Sequence, residues 1–265
     1  MKNIDKKQLK NEYKSVVRAA QKRYEEECEA AEAKYREKLE AMYIESGKTM
    51  PKDPPKRSVL EEVGNSVTHG LGSLFAIVAL ILMLVSAETS EQYLSAVIYF
   101  LGLFLMFTMS CLYHAFPHGS AVKRLFRRFD YSGIYLLIGA TFAPVLITYF
   151  NNTFGWIFFA VQWVVIAMGI TFVGVFGPTR LRFLHIPLYV ILGWSALMLL
   201  PFMVLGGAAG MATWILLGGV IYTVGIIPFT IKLKASHFIW HFFVLAGAVV
   251  QWIGIYKYIY LSLLG

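Results

Sequence analysis

The chain has 265 residues, of which 57% are apolar, and a formal net charge of +8. Residues 1–57 contain 15 Lys and Arg with 11 Asp and Glu, which leaves only 9 and 5 for the remainder of the chain. A soluble domain is about one quarter charged, so this composition excludes a soluble domain after residue 57. The sequence predicts a charged helical arm with a Pro-rich linker at 1–57 and a membrane domain at 58–265.

The arm carries a regular stripe of apolar or small residues. Their intervals of 4, 4 and 3 residues form an eleven-residue repeat, which gives about 3.67 residues per turn and a nearly straight stripe. The stripe consists of Leu9, Tyr13, Val17, Ala20, Tyr24, Cys28, Ala31, Tyr35, Leu39 and Met42. We expect a long N-terminal amphipathic helix of roughly 40 residues that ends before the prolines at 51, 54 and 55.

The charges of the arm are separated into a basic first half and an acidic second half. Two copies of the arm could therefore associate antiparallel, or one arm could fold onto basic loops or remain a solvated helix. The basic half also suits anionic lipid headgroups. Because no nucleic-acid-binding module accompanies the basic residues, we expect no nucleic-acid partner.

Seven apolar runs follow, each long enough to cross the hydrocarbon core, which needs roughly 20 residues. They cover about 66–87, 92–116, 131–150, 154–175, 184–205, 211–231 and 236–262. The sequence therefore predicts an all-α membrane protein, a bundle of seven transmembrane helices.

The loop cations predict the orientation of this bundle. Eight Lys and Arg lie in the second, fourth and sixth connections, and the other three connections contain none. They are Lys123, Arg124, Arg127, Arg128, Arg180, Arg182, Lys232 and Lys234. By the positive-inside rule these connections and the N-terminus are cytoplasmic. We expect a multi-pass protein of the plasma membrane whose basic inner face contacts anionic headgroups.

Four ionisable residues fall at one membrane level in this topology. His114 ends the second run, Asp130 opens the third, and His237 and His241 begin the seventh, one helical turn apart. Ionisable groups at membrane depth are costly and mark functional sites. Depth follows from the topology, but lateral convergence does not, because the sequence does not give the helix neighbours.

Three imidazoles with a carboxylate suit a zinc site with an open position. Two histidines four residues apart face the same way and can reach one ion, whereas haem ligands act singly from facing helices. The alternative to a metal site is that these residues form hydrogen bonds between helices, which is the usual role of polar residues in membrane bundles. Asp130 could ligate the metal or accept a hydrogen bond from its water or from a ligating histidine.

Other polar residues share this level. Ser110 could polarise a substrate carbonyl, or its hydroxyl could bond the backbone one turn earlier. In the first span Glu62, Asn65 and His69 share a helical face. Glu62 and Asn65 could support the site from outside the ligand set or serve only as helix-cap and interface residues, and His69 could be an outer-shell or packing group.

The chain resembles the hemolysin III proteins, within the larger progestin and adipoQ receptor family, over roughly residues 58–265. The motifs that carry the resemblance occur in order on the expected spans. They are Glu62-Val-Gly-Asn65-Ser-Val-Thr68-His69-Gly70, Ser110-Cys-Leu-Tyr113-His114, Phe129-Asp130-Tyr131-Ser132-Gly133-Ile134, Thr141-Phe-Ala-Pro144 and His237-Phe-Ile-Trp240-His241.

The resemblance implies seven spans with an inside N-terminus and a zinc ion held by His114, His237 and His241. It also implies that Asp130 contacts the zinc water and that Ser110 occupies the family's serine position. The wider relationship to alkaline ceramidases, in the CREST group of membrane hydrolases, implies hydrolysis of lipid amides or esters.

Three functions are therefore expected in order. The first is a zinc-dependent lipid hydrolase at the cytoplasmic leaflet. The second is a receptor-like regulator of membrane homeostasis in which zinc is structural. The third is a cytolytic pore, which the hemolysin name suggests but which seven apolar spans with few polar residues disfavour.

Overall fold

The computed structural model of the chain describes residues 6–47, 53–230 and 235–261. Within these ranges every regular element is helical, and seven helices are long and apolar enough to cross a membrane, which confirms the predicted fold class. In chain order the spans are Val59–Ser86, Ser90–Ala115, Ala121–Tyr149, Thr153–Phe176, Phe183–Leu205, Ala209–Pro228 and Ser236–Tyr260. Lys232 and Lys234, two of the predicted loop cations, lie outside the described residues.

The first and third spans begin well before the apolar runs that predicted them. Ser58 caps the first helix by accepting a hydrogen bond from the Glu61 N–H at 3.2 Å, and Ser120 caps the third by accepting from the Lys123 N–H at 3.1 Å. These caps extend each helix beyond its apolar segment. Asp130 therefore lies inside the third helix rather than at its start.

Neighbouring spans along the chain pack side by side, and the seventh span returns to pack against the first. The third span is the most buried, and it contacts the second, fourth, fifth and seventh. This closure brings the first, second and seventh spans together at one end of the bundle. We call it the basic end, defined as the end where the second span finishes and the first, third and seventh begin.

Close approach of the second and third spans depends on Gly102. A Cβ atom at this position would lie 2.1 Å from the Ala140 Cβ and 2.8 Å from the Leu136 carbonyl oxygen. Small residues at such contacts allow the two backbones of a membrane bundle to approach closely. The second and third spans carry His114 and Asp130, so their contact fixes the spacing of residues at the basic end.

The arm is a single helix, Lys6–Glu45, of 40 residues, and none of its residues is buried. Its length matches the predicted amphipathic helix. The chain divides into two compact units, Met1–Asp53 and Pro54–Gly265, and the arm helix belongs to the first of them.

Candidate metal centre

Three histidine side chains converge at the basic end. The His237 Nε2 atom lies 3.1 Å from the His114 Nε2 and 3.2 Å from the His241 Nε2. His114 comes from the end of the second span, whereas the other two lie one turn apart on the seventh. His114 and His241 are buried and His237 is partly exposed. The cluster is therefore largely enclosed by the bundle.

Hydrogen bonds on the far side of two rings determine which nitrogen carries the proton. The His114 Nδ1 lies 2.5 Å from Glu62 Oε2, and the His241 Nδ1 lies 3.2 Å from the Asn65 carbonyl oxygen. A carboxylate and a carbonyl can only accept, so both Nδ1 atoms must donate. In the neutral rings the Nε2 lone pairs then point toward the centre of the triad.

This geometry fits a tetrahedral metal ion. With Zn–N bonds of about 2.0–2.1 Å, the nitrogens of a tetrahedral site lie about 3.3 Å apart, close to the two Nε2–Nε2 distances of 3.1 and 3.2 Å. His237 has at most one Nε2 proton and can satisfy only one of the two inward lone pairs. A cation among the three nitrogens satisfies all of them. Within the described residues the convergent group contains only these three protein ligands, so a fourth position is open.

The Glu62 carboxylate is itself held by a buried lysine. The Lys123 Nζ lies 3.1 Å from Glu62 Oε1, and it donates to the carbonyl oxygens of Tyr113 at 3.0 Å and Phe116 at 2.8 Å. Lys123 is 1% exposed. A cation at the end of a helix stabilises its last carbonyls. Lys123 thus ties the end of the second span to the carboxylate that orients His114.

The sequence did not predict this role for Lys123, which was counted as a loop cation. The cap at Ser120 places Lys123 in the first turn of the third helix, facing the second span. Its spacing of three residues from a capping serine is a signal that could have placed it on a helix. The burial of its ammonium group depends on a neighbouring helix, and therefore no sequence pattern near Lys123 predicts it.

Asp130 and Ser110 lie beside the triad rather than within it. Asp130 lies near enough to Ser110 and His114 for an electrostatic influence among the three groups. Asp130 is not part of the convergent ligand group found among the described residues. Ser110 is fully buried, and its hydroxyl has no hydrogen-bond partner within the described residues. Both roles expected of Asp130, as a ligand or as a partner of the metal's water, therefore stay predictions.

The remaining first-span residues surround two of the histidines. Asn65 is fully buried, and its side-chain amide lies 3.3 Å from the His114 Nδ1 while its carbonyl oxygen holds His241. The His69 ring stacks on the His241 ring with centroids 3.7 Å apart and planes 16° apart. Ser58, and not Glu62 or Asn65, occupies the N-cap position of this helix. The catalytic and ligand roles of these site residues stay predictions.

A largely apolar cavity lies deeper in the bundle among the second, third, fifth, sixth and seventh spans. Its lining includes Met106 and Ile134, one helical turn beyond Ser110 and Asp130 respectively, and Trp240 on the seventh span. A helical turn is about 5.4 Å long. The cavity therefore begins immediately below the polar cluster.

The fold and the polar cluster define a class: a seven-helix, multi-pass membrane protein with a buried three-histidine cluster at one end of the bundle. The model of the haemolysin-III related family matches residues 57–252, so the chain belongs to that family. This finding confirms the resemblance predicted from the sequence motifs. The match begins after the arm helix, which lies outside it.

Individual relatives agree with this assignment. The chain is 32% identical over 205 residues to hemolysin-3 of Bacillus cereus, which covers 76% of this chain and 93% of the relative. It is 30% identical over 199 residues to the hemolysin-3 homolog of Bacillus subtilis (strain 168), and this match covers 73% of this chain and 92% of the relative. It is also 26% identical over 217 residues to the monocyte to macrophage differentiation factor of Homo sapiens, and this match covers 78% of this chain and 88% of the relative.

Proposed function

We propose that this chain is a zinc-binding membrane protein that hydrolyses amide or ester bonds of membrane lipids. The observation that carries the proposal is the convergence of three histidines, with the His237 Nε2 atom 3.1 and 3.2 Å from the other two Nε2 atoms. The other two rings have their protons fixed on the opposite ring nitrogen. Neutral imidazole suits zinc, and three histidines with an open position are typical of catalytic rather than closed structural zinc sites.

The residues around the open position supply the rest of the chemistry. Zinc, when bound, makes a water molecule acidic and polarises a carbonyl oxygen. Asp130, beside Ser110 and near His114, accepts the proton of the attacking water and returns it to the leaving group. The Ser110 hydroxyl orients Asp130 or donates to the substrate carbonyl oxygen. Glu62 and Asn65 keep the two buried rings in the tautomer that binds metal.

The cavity supports a lipid substrate. Its apolar lining, which starts one turn below Ser110 and Asp130, can hold an acyl chain while the scissile carbonyl remains at the level of the triad. Binding sites for apolar ligands combine such a lining with a few convergent polar groups. A lipid whose headgroup stays at the membrane surface would thus present its amide or ester bond to the polar cluster.

We further propose that the basic end faces the cytoplasm and that the protein resides in the plasma membrane. The support is the distribution of Arg124, Arg127, Arg128 and Arg180, all in or next to connections at this end. These arginines would attract anionic lipid headgroups. Tagging the N-terminus and testing its accessibility in right-side-out vesicles would determine the orientation.

The test is metal analysis combined with lipid turnover on purified protein in nanodiscs. We expect about one zinc per chain, loss of zinc and turnover in His237→Ala, and retained zinc with lost turnover in Asp130→Asn. The lipid panel should include ceramides, phospholipids and acylglycerols, because the site does not select among their carbonyls. Full hydrolytic activity in metal-free protein would overturn the proposal.

A structural role for zinc is the second candidate, because one specific observation favours it. The triad and its supporting residues join the seventh span to the first and second, which lie far from it in the chain. In a receptor-like regulator the ion would serve only to hold these spans together. Zinc-loaded wild-type protein without turnover of any lipid, together with a fully stable Asp130→Asn variant, would favour this role. Leakage of a dye from liposomes at low protein density would instead indicate a cytolytic activity.

A further inference from the structure

The arm helix, Lys6–Glu45, presents an apolar stripe that stays largely exposed among the described residues. None of its 40 residues is buried, and the large stripe residues are strongly exposed. The exposed fractions are 59% for Leu9, 70% for Tyr13, 69% for Tyr24, 60% for Tyr35 and 65% for Met42. A continuous apolar stripe on an otherwise polar helix normally faces another surface.

The order of charges along the arm destabilises an isolated helix. Residues 6–24 contain seven Lys and Arg with one Glu, and residues 25–45 contain three with eight Glu. Each helix has a partial positive charge at its N-terminus and a partial negative charge at its C-terminus. The arm therefore places its cations at the positive end and its acids at the negative end. Alignment with a second, oppositely directed helix reverses this disadvantage.

The stripe is also symmetric when read in reverse. Each stripe position has a counterpart such that the two residue numbers add to 51 or 52, which centres the stripe between residues 25 and 26. The counterparts are Leu9 with Met42, Tyr13 with Leu39, Val17 with Tyr35, Ala20 with Ala31, and Tyr24 with Cys28. An antiparallel copy of the helix thus places an apolar residue opposite every apolar residue.

We propose that the arms of two copies of this chain associate as an antiparallel helix pair. In this register three kinds of pair beside the stripe are oppositely charged, at numbers that add to about 50, while Glu25 faces Glu25 of the second copy. Glu12 then faces Lys38 of the second copy, and Arg23 faces its Glu27. On the other side of the stripe Lys10 faces Glu40 of the second copy. Arg36, which lies opposite Lys14 of the second copy, already forms a pair with Glu40 of its own helix at 3.6 Å.

A parallel pair or a membrane-bound arm fits these residues less well. A parallel pair would place the seven cations of one basic half against those of the other, and like charges repel. A helix bound to anionic lipid needs cations along its whole polar face, whereas residues 25–45 carry eight Glu. A second copy of the chain is thus the occupant that matches both the apolar stripe and the charge order.

Disulfide cross-linking of the full-length protein in nanodiscs tests the register. Two differently tagged chains, both with Cys28→Ala and Cys111→Ala, carry Leu9→Cys and Met42→Cys respectively. We expect the mixed 9–42 disulfide, and no 9–9 or 42–42 product, because positions 9 and 42 are roughly 50 Å apart along the helix. The matched control is Ser15→Cys with Glu37→Cys, which lie at matching heights on the opposite helix face and should not cross-link.

Charge reversal tests the association by a second route. Glu12→Lys and Lys38→Glu should each weaken self-association by about tenfold, since each change creates two repulsive contacts per dimer. The double variant should restore it. These two positions are roughly 39 Å apart within one helix, so rescue cannot arise inside a single chain. A 9–9 disulfide, equal cross-linking of the control pair, or a monomer at all protein densities would each overturn the proposal.

Discussion

Replacing Glu62 by glutamine tests whether this partly buried carboxylate, acting through His114, sets the affinity of the metal site. Glu62 Oε2 accepts from the His114 Nδ1 at 2.5 Å, a charge-assisted hydrogen bond. Glutamine retains an oxygen acceptor but loses the charge. Bonds to charged groups contribute about 1.5–3 kcal/mol and neutral ones about 0.5–1.5 kcal/mol. The substitution should therefore weaken zinc binding by roughly 1–1.5 kcal/mol, or about tenfold.

Removing the acceptor altogether has a larger expected effect. In Glu62→Ala the His114 ring loses the bond that fixes its tautomer, and supporting partners of metal ligands are worth 10–100-fold in affinity. We expect this variant to approach the upper end of that range, about 2.7 kcal/mol. The assay is competition for zinc with a chromophoric chelator, which does not depend on any turnover.

Glu61 provides a matched control. Its side chain is 19% exposed against 16% for Glu62, and it pairs with Arg57 at 3.7 Å instead of with a histidine. Glu61→Gln removes the same charge one residue away and should change zinc affinity by less than about twofold. Wild-type affinity in Glu62→Gln, or an equal loss in Glu61→Gln, would refute the reasoning.

Three further outcomes follow from the packing and the site. A chelator should lower the unfolding temperature of the wild-type protein but not that of His237→Ala, because a ligand bound only to the folded state stabilises it. Fluorescence-detected size exclusion measures the unfolding temperature of each variant with and without the chelator. Gly219 lines the cavity and has open space at its Cβ position. Gly219→Leu should therefore reduce turnover of long-chain lipids while zinc is retained. The control Gly174→Leu, at a position with open space outside the cavity lining, should leave turnover unchanged. Gly102→Ala should destabilise the bundle by about 1–3 kcal/mol through its overlap with the third span, and a stability equal to that of Gly174→Ala would contradict the packing argument.

Much of the fold could be predicted from the sequence because a membrane span leaves a one-dimensional signal. Apolar length alone located all seven helices, and the motif set identified the family. The starts of the first and third helices were missed because hydropathy reports immersion in lipid, whereas a helix begins at its cap. Ser58 and Ser120 extend those helices into the polar region, and this extension brings Glu62 and Lys123 into the site.

The site itself was predicted only in depth. Alternating helix direction places His114 and His237 at one end of the bundle, but their separation across the membrane plane depends on which helices are neighbours. The return of the seventh span to the first and second decides it. The burial of Lys123 could not be predicted for a related reason. A lysine in a basic segment is normally solvated, and here the carbonyl groups at the end of the neighbouring helix make its burial favourable.

The first span supplies no ligand, yet it contributes most of the bonds that orient the ligands. Its Glu62 carboxylate holds His114, its Asn65 carbonyl holds His241, and its His69 ring stacks on the same imidazole. Buried polar groups in a membrane bundle are unfavourable unless each finds a partner. The first span therefore makes burial of the histidines tolerable before any metal binds. A bound ion would in turn link the second and seventh spans, whose His114 and His237 lie 123 residues apart in the chain. Affinity for the ion and closure of the bundle would then be one equilibrium, so substitutions in the first span should affect both together.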